Sequence, residues 1–289
     1  MPTILAPAKV NLFLHVGPPA PDGFHPVCSL MAFADIGDQV RLEPGAFGFR
    51  LAGEFGVGLE GEADNLVTRA RAALAAQVGG EDEFGLVLDK RLPIAAGLGG
   101  GSSDAAAALR LMRDHLGLGL SDDDLRGLAS ALGSDTPACI DPRPWIAEGR
   151  GERLRPPPRF PALPVVLVNP RVASPTGPVY RAYDAAVSPK GADAPHWPKA
   201  FPTVAAIADA LAACRNDLEA PAMRLNPAIA TARDALAEAP ETLLARMSGS
   251  GATCFALCAE PAAAVDLAAR ITQEHPGWWV KSGTLGGSR

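Results

Sequence analysis

The chain has 289 residues, of which 48% are hydrophobic and 20% are charged, and its formal net charge is −6. This composition argues against intrinsic disorder, and an acidic balance with no Lys/Arg-rich run argues against a nucleic-acid or membrane-surface partner. The length favours two domains, at roughly 150 residues per domain. The five cysteines are scattered and form no C-x-x-C pair, so they predict neither a zinc site nor a disulfide framework.

The amino-terminal segment predicts a strand. Alternation over residues 8–16 gives one aliphatic face and an opposite face that carries Lys9, Asn11 and His15 and that could line a cleft. Lys9 lies inside the apolar run, which is wrong for a signal peptide. No stretch approaches the ~18 consecutive apolar residues of a membrane span. We therefore expect a cytoplasmic protein with no membrane partner.

The remaining elements are predicted from periodicity and capping residues. Strands are expected near 27–33, 39–42, 84–88, 145–148, 163–168, 243–247, 253–258 and 278–281. Helices are expected near 65–76, with Asp64 or Asn65 as its cap, and near 102–116, 121–133, 204–213, 227–237 and 261–272. Another helix is expected to start at Ser174 or Thr176, near Tyr180, and 188–201 is expected to be a loop. The stiff run of three prolines at 156–158 marks a boundary between expected domains 1–155 and 156–289, the second of α+β type.

The most informative segment is a glycine-rich loop that leads into an alanine-rich helix. Its glycines let a phosphate approach the backbone closely, and the N–H groups at the start of the helix form an anion site. The residues of this predicted phosphate loop are Pro93, Gly97, Leu98, Gly99, Gly100, Gly101, Ser102 and Ser103.

Other glycine-rich motifs fit this segment poorly. A Walker A loop ends in Gly-Lys-Ser/Thr, and a dinucleotide fingerprint has a third glycine where Ser102 stands, which disfavours a nicotinamide oxidoreductase. The H-R-D and D-F-G motifs of protein kinases are absent. A flexible linker is the remaining alternative, and a linker has no need of a proline-led entry and a Ser-Ser helix start together.

Three further features allow two interpretations each. The small-residue turn at 248–251 is either a plain hairpin turn or a second backbone contact for a nucleotide. Asp135, two residues before Pro137, either bonds local N–H groups or orients and deprotonates an attacking hydroxyl. Lys9 is either a snorkelling surface lysine or a cation that stabilises transferred negative charge.

Taken together, the motifs resemble the GHMP kinases, named for galactokinase, homoserine kinase, mevalonate kinase and phosphomevalonate kinase. Residues 6–12, 93–103 and 248–251 match three family motifs in the right order. The resemblance implies a two-domain α+β fold, with an N-terminal domain like ribosomal S5 domain 2, a ferredoxin-like C-terminal domain and an active site in the cleft between them. It also implies ATP and Mg²⁺ as cofactors, with Lys9 and Asp135 as catalytic residues.

Within the family, residues 8–14, 22–25, 133–137 and 216–219 are most similar to enzymes that phosphorylate the 2-hydroxyl of 4-diphosphocytidyl-2-C-methyl-D-erythritol in the non-mevalonate isoprenoid pathway. The resemblance implies a cytidine diphosphate-linked alcohol as the small-molecule partner, and a monomer or weak homodimer. The site residues that it implies around this substrate and near adenine are Asn11, Asn65, Phe24, His25, Thr176, Tyr180, Gly249 and Ser250.

The implied roles are specific. His25 would hydrogen-bond the cytosine, and Phe24 and Tyr180 would stack on its two faces, while Asn65 would lie near adenine. Phe24 departs from the family, which more often has Tyr there, so a hydroxyl contact would be missing. Two alternatives stay open: a mevalonate- or homoserine-type kinase of the same family, and a non-catalytic nucleotide-binding sensor on the same fold. Phosphoryl transfer requires Lys9 and Asp135 to lie together beside the glycine-rich loop.

Overall fold

The computed structural model describes residues 1–57, 65–78, 84–186 and 190–287. Contacts group the chain into two compact units, each built from three separate stretches of sequence. Unit 1 comprises Met1–Lys9, Gly37–Ile94 and Gly99–Pro142, and unit 2 comprises Val10–Ile36, Ala95–Leu98 and Arg143–Arg289. The units interleave along the sequence, and the expected domain boundary at residue 155 stays a prediction.

The described residues form ten strands and nine helices. The strands are β1 (Thr3–Val16), β2 (Val27–Pro44), β3 (Phe49–Ala52), β4 (Phe84–Asp89), β5 (Trp145–Gly149), β6 (Arg153–Arg155), β7 (Leu163–Asn169), β8 (Thr242–Met247), β9 (Cys254–Cys258) and β10 (Trp279–Leu285). The helices are α1 (Leu66–Val78), α2 (Gly100–His115), α3 (Asp122–Ser130), α4 (Thr136–Ile140), α5 (Thr176–Ala186), α6 (Val204–Ala212), α7 (Glu219–Leu225), α8 (Pro227–Ala237) and α9 (Pro261–Glu274). Within the described ranges, no helix is both long and apolar enough to cross a bilayer.

Unit 1 contains four helices and a small sheet. The second half of β2 pairs antiparallel with β4, and the edge strand β3 runs parallel to β4. Helix α1 packs on α2, and α4 packs on both α2 and α3. The helix α2 buries a run of alanines, Ala105–Ala108, so its backbone can approach its neighbours closely.

Unit 2 contains an antiparallel sheet in the order β10-β7-β9-β8, while β5 pairs with the first half of β2 and with β6. The strand β7 lies inside this sheet and is buried along its whole length, so it reads as a continuous apolar run instead of an alternating one. Val166 and Val168 of β7 pack in one core with Ile229 of α8 and Leu267 of α9.

Most predicted elements are confirmed, and the differences have local causes. The two strands expected at 27–33 and 39–42 are one strand, β2, because Gly37 lets β1 approach: a Cβ there would lie 2.2 Å from the Ala6 carbonyl oxygen. The helix expected from Ser102, Ser103 or Asp104 begins earlier, at Gly100, so part of the glycine run is helical. The helix expected to reach residue 133 ends at Ser130.

Three short elements were not predicted from the sequence. They are β3, β6 and α7, each of seven residues or fewer. The segment around Asp135, expected to be a turn, is the N-cap of the five-residue helix α4, which carries proline in its first turn. The strands β3 and β6, of four and three residues, are too short to show alternation, and α7, about two turns long, contains Pro221, which disfavours a helix in the sequence.

Candidate active site

Lys9 and Asp135 form an ion pair in unit 1. The Lys9 Nζ lies 3.0 Å from Asp135 Oδ2, with the lysine side chain buried and the aspartate side chain 32% exposed. Asp135 caps α4 without using its carboxylate for the cap, so both oxygens are free of that local role. The interpretation of Asp135 as simple turn chemistry is therefore not what the structure shows, and neither is a snorkelling Lys9. A buried ammonium beside a partly exposed carboxylate is suited to proton transfer and charge stabilisation.

The start of α2 lies against the same lysine. Gly99 has a left-handed backbone (φ 61°), and a Cβ at this position would lie 3.0 Å from Lys9 Cε. Ser103, in the first turn of α2, donates from its hydroxyl to the Pro7 carbonyl of β1 at 2.6 Å. The helix has no acidic residue in its first turn. Its unpaired N–H groups and positive end are thus available to an anion next to the ion pair.

A buried charge cluster supports this helix start. The Lys90 ammonium donates to Asp38 and, at 2.7 Å, to Asp104 of α2. A Cβ on Gly100 would lie 2.9 Å from Lys90 Nζ, so the cluster touches the beginning of α2. Asp38 also accepts from the Arg91 and Leu92 N–H groups, at 2.6 and 2.7 Å, which fixes the segment that leads from β4 into the loop.

Burial and mutual attraction shift the pKa values of two groups in this cluster. Burial raises the pKa of Asp104 to about 8 despite the opposing attraction of Lys90. Burial alone would lower the pKa of Lys90, but its two carboxylate partners raise it. The raised pKa means that the Asp104 carboxyl keeps a proton more readily than an exposed aspartate does. Protonation of Asp104 lowers the buried negative charge that would oppose an anion at the start of α2.

The other end of the glycine-rich loop belongs to unit 2, where it meets the turn that follows β8. Gly97 has φ 73°, and a Cβ there would lie 2.2 Å from the Ser248 carbonyl oxygen. The Ser248 hydroxyl donates to the Gly97 carbonyl at 2.8 Å and accepts from the Asn11 N–H at 3.1 Å. A Cβ on Gly249 would lie 3.2 Å from Asn11 Oδ1. The structure therefore brings Asn11, Gly97 and Gly249 together.

The turn continues toward α5, also within unit 2. The Ser250 hydroxyl lies 3.0 Å from the Thr176 hydroxyl, and the Ser250 carbonyl accepts from the Ser174 hydroxyl at 2.6 Å. These bonds tie the turn to the first residue of α5. A substrate that contacts Thr176 would therefore also meet Ser250.

The residues expected around a cytosine lie around His25. Its ring centroid is 5.1 Å from that of Tyr180, Nδ1 donates to the Gly17 carbonyl at 2.8 Å, and Nε2 lies 3.2 Å from Asp184 Oδ1. Phe24 is 54% exposed. The Arg150 guanidinium lies 4.1 Å from the Phe24 ring centroid as a cation–π contact. Phe24, which precedes His25 in the sequence, leaves ring surface accessible to a planar ligand.

Asn65 acts first as a helix cap. Its Oδ1 accepts from the Val67 and Thr68 N–H groups at 2.9 and 3.1 Å, at the start of α1. The Asn65 Nδ2 is buried and has no hydrogen-bond partner within the residues that the structure describes. The Asn65 Nδ2 can therefore donate a hydrogen bond to a ligand, and the expected contact with adenine stays a prediction.

Two family models match the chain over much of its length. The model described as "GHMP kinases N terminal domain" matches residues 65–141, and the model described as "GHMP kinases C terminal" matches residues 199–277. The chain belongs to the GHMP kinase family.

Individual relatives place this GHMP kinase more narrowly. A protein of Caulobacter vibrioides (strain NA1000 / CB15N) named 4-diphosphocytidyl-2-C-methyl-D-erythritol kinase is 57% identical over 279 residues, 96% of each chain. A crystal structure of a 4-(cytidine 5'-diphospho)-2C-methyl-D-erythritol kinase has TM-score 0.78 and 36% identity, covering 99% of this chain and 100% of the other. Mevalonate kinase of L. major shares the fold, with TM-score 0.68, 13% identity and coverage of 100% and 97%.

The comparisons confirm the family and the α+β GHMP kinase fold, and kinases of this family use ATP. The roles of individual site residues in this GHMP kinase stay predictions. The geometry groups them by unit: Lys9, Asp135 and the loop from Gly99 onward lie in unit 1, and the residues expected around the alcohol lie in unit 2.

Sequence reasoning missed the residues that support the site of this GHMP kinase. No role was predicted for Lys90, which directly follows β4, or for its two carboxylate partners, although a lysine just before a phosphate loop was a usable signal. Asn216 was noticed only as part of a family-like segment at 216–219. Its contacts are non-local and cannot be read from spacing.

Proposed function

We propose that this GHMP kinase transfers the γ-phosphoryl group of ATP to the 2-hydroxyl of 4-diphosphocytidyl-2-C-methyl-D-erythritol. The observation that carries the proposal is the 3.0 Å ion pair of Lys9 and Asp135, with Lys9 packed against Gly99 at the start of α2. The named relatives supply the identity of the alcohol, since one of them is 57% identical over 96% of the chain.

The phosphate loop would hold ATP by its backbone. N–H groups from Gly99 to Ser102 and the positive end of α2 meet the phosphate oxygens, and the buried Lys90 cluster keeps that helix end fixed. Because these donors are set in place before the substrate arrives, little reorganisation is needed as charge shifts in the transition state.

The pair of Lys9 and Asp135 would carry out the transfer. The Asp135 carboxylate accepts the proton of the 2-hydroxyl as that oxygen bonds to the γ-phosphorus. The bond from the γ-phosphorus to the bridging oxygen breaks, and ADP leaves with the electron pair. The Lys9 ammonium stabilises negative charge on the transferred group. A partly exposed carboxylate is accessible to the alcohol, while a buried lysine keeps its position.

Mg²⁺ fits the donor set at the start of α2. The described residues contain no group of three His, Cys, Asp or Glu side chains suited to a metal. A Mg²⁺ ion held by nucleotide phosphates and water needs only one or two protein oxygens. The half-buried Ser102 hydroxyl, in the first turn of α2, would supply one of them. When bound, the ion would neutralise charge on the phosphates.

The cytidine end of the alcohol would lie beside His25. Phe24 and Tyr180 would stack on the base, and His25 would read its edge by exchanging the half-exposed Asp184 for the ligand. Thr176, Gly249 and Ser250 would contact the rest of the alcohol, with Asn11 behind them. We expect the reaction to take place in the cytoplasm, by a monomer or weak homodimer with no nucleic-acid partner.

A panel of alcohols tests the substrate. ADP release should be measured with 4-diphosphocytidyl-2-C-methyl-D-erythritol, mevalonate, homoserine and galactose at equal concentrations. The cytidylyl alcohol should give a kcat/KM at least ~10²-fold above each of the others, since only it can use the stacking aromatics. Preference for another alcohol would reassign the substrate, and ATP binding without ADP release on any of them would indicate a nucleotide sensor.

Replacement of the proposed base tests the mechanism. Asp135→Asn keeps the shape of the side chain but removes the proton acceptor, so kcat should fall at least ~10²-fold with nucleotide affinity nearly unchanged. Asp141→Asn, at the other end of α4, is the matched control and should keep wild-type turnover. Wild-type turnover in Asp135→Asn would remove Asp135 from the catalytic role.

A further inference from the structure

The segment 216–219 has no assigned role in the reaction, yet the structure places it at a junction within unit 2. Asn216 forms a parallel bridge with Leu14 of β1. The flanking backbone completes the pairing, because Leu14 N–H donates to the Arg215 carbonyl at 2.8 Å and Asp217 N–H donates to the Leu14 carbonyl at 2.9 Å. The segment is therefore fixed to the strand that carries Asn11.

The amide of Asn216 reaches from this strand to the turn at 248–251. Its Nδ2 donates to the Met247 and Gly249 carbonyls, each at 2.8 Å, and its Oδ1 accepts from the Leu218 N–H at 3.0 Å. The side chain is buried, and both of its donor hydrogens and its acceptor are used. A buried amide with every bond made has one favourable orientation.

A second side chain of the segment holds the same turn. Glu219, at the start of α7, accepts from the Met247 N–H at 2.7 Å. Met247 is therefore held at its N–H by Glu219 and at its carbonyl by Asn216. Gly249, two residues after Met247, has φ 55°. This left-handed backbone conformation favours glycine over other residues. The position of the Gly249 carbonyl thus depends on the Asn216 amide.

We propose that Asn216 is a positioning residue for phosphoryl transfer: its amide fixes the Met247 and Gly249 carbonyls and so places the 248–251 turn for the alcohol substrate. This inference rests on the proposed function, in which Gly249 and Ser250 contact that alcohol. Asn216 itself touches only protein groups. Its effect should therefore appear in binding of the alcohol and not in that of ATP, whose phosphates are assigned to the first turn of α2.

The decisive experiment compares two identical chemical changes. Asn216→Asp replaces the donating amide nitrogen by an oxygen that faces two carbonyl oxygens, so the turn must move. KM for 4-diphosphocytidyl-2-C-methyl-D-erythritol should rise at least ~10-fold, while KM for ATP stays within about twofold. Asn226→Asp, at the N-cap of α8 where the side chain makes no capping bond, is the matched control and should leave both constants unchanged.

A second variant covers the case in which Asn216→Asp does not fold. Asn216→Ser adds no charge but is too short to reach both carbonyls, and it should show a KM increase for the alcohol of at least ~3-fold with ATP again unaffected. Near-ultraviolet circular dichroism establishes that each variant is folded before the kinetics are measured.

Two results would overturn the inference. One is a folded Asn216 variant with unchanged KM for the alcohol, and the other is an equal rise in both KM values, which would indicate a purely structural role. The proposed function is judged separately, by the wild-type enzyme: if wild type does not phosphorylate this alcohol, the proposed function fails, whereas an active wild type with unaffected Asn216 variants removes only the positioning role.

Discussion

His15 shows how one buried residue couples stability to pH. Its Nδ1–H donates to the Asp193 carbonyl at 2.8 Å, and its Nε2 accepts from the Arg215 N–H at 3.3 Å. Only the neutral ring with the proton on Nδ1 can make both bonds. Burial lowers the pKa of His15, and the nearby Arg215 and Arg246 cations lower it further, although the Asp193 carbonyl and Asp217 act in the opposite direction.

The sign of the pH effect follows from this lowered pKa. Between the folded pKa and the unfolded value of about 6.5, the unfolded chain binds more protons, so stability falls as the pH falls. The melting temperature of wild type should drop between about pH 7.5 and about pH 5.5, and His15→Gln should drop less. Differential scanning calorimetry at both pH values measures this. His196→Gln, at an exposed histidine, should follow wild type, and an equal drop in the His15 variant would refute the assignment.

At the residue scale, the sequence was most informative where chemistry is local. Alternation in β1 placed Lys9 among aliphatic neighbours, which made it a candidate. The structure buries Lys9 against Gly99 and puts its Nζ 3.0 Å from Asp135. Lys9 and Asp135 are 126 residues apart in the sequence, and no pattern in either segment predicts that they are in contact. The resemblance to a family was needed to connect the two residues before the structure did so.

Among the elements, the phosphate loop contains glycines of two kinds. Gly97 has φ 73° and a virtual Cβ 2.2 Å from the Ser248 carbonyl oxygen, so the fold requires glycine there. Gly101 is exposed within the first turn of α2, and a Cβ would meet only the end of the flexible Leu66 side chain, at 3.3 Å. Glycine is thus not needed at position 101 for the backbone, and the space above it is left for a ligand.

Alanine substitutions should separate these two kinds of glycine. Gly101→Ala should not lower the melting temperature of the free protein, since alanine favours helix by up to ~1 kcal/mol, but KM for ATP should rise at least ~10-fold because the methyl group meets the phosphates. Gly97→Ala should lower the melting temperature by several degrees, because strain and overpacking cost ~1–3 kcal/mol. Unchanged ATP kinetics in Gly101→Ala would mean that the phosphates do not bind over this turn.

The elements themselves were predictable where the sequence marks their ends or their type. Helices α8 and α9 and the strand β4 match their expected ranges closely, because a proline start or a run of strand-forming residues marks each one. The start of α2 was misplaced by two to four residues, since three consecutive glycines indicate a loop to any propensity scale. Tertiary contacts with Lys9 and Lys90 stabilise a helical start that propensity disfavours.

For the whole molecule, the arrangement of the units was beyond sequence reasoning. The strand β1 contributes Thr3–Lys9 to unit 1 and Val10–Val16 to unit 2, and the glycine-rich loop is divided between Leu98 and Gly99 in the same way. A boundary between two domains that follow one another along the chain can be predicted from composition, as was done with the proline run at 156–158. Units that interleave along the chain depend on pairing between distant segments, which leaves no local signal in the composition.

Nucleotide binding should stabilise the molecule in a way that tests the loop as a whole. A ligand that binds only the folded chain adds about 2.7 kcal/mol at 100 times its Kd, which corresponds to a rise of roughly 5 °C in melting temperature for a chain of this size. A non-hydrolysable ATP analogue with Mg²⁺ should produce this rise in wild type and in Asp135→Asn, and a smaller one when EDTA removes the metal, since Mg²⁺ offsets phosphate repulsion. Gly101→Ala should show little shift at the same concentration. An unchanged wild-type melting temperature at every analogue concentration would contradict ATP binding by this loop, and an equal shift in Gly101→Ala would move the phosphates elsewhere.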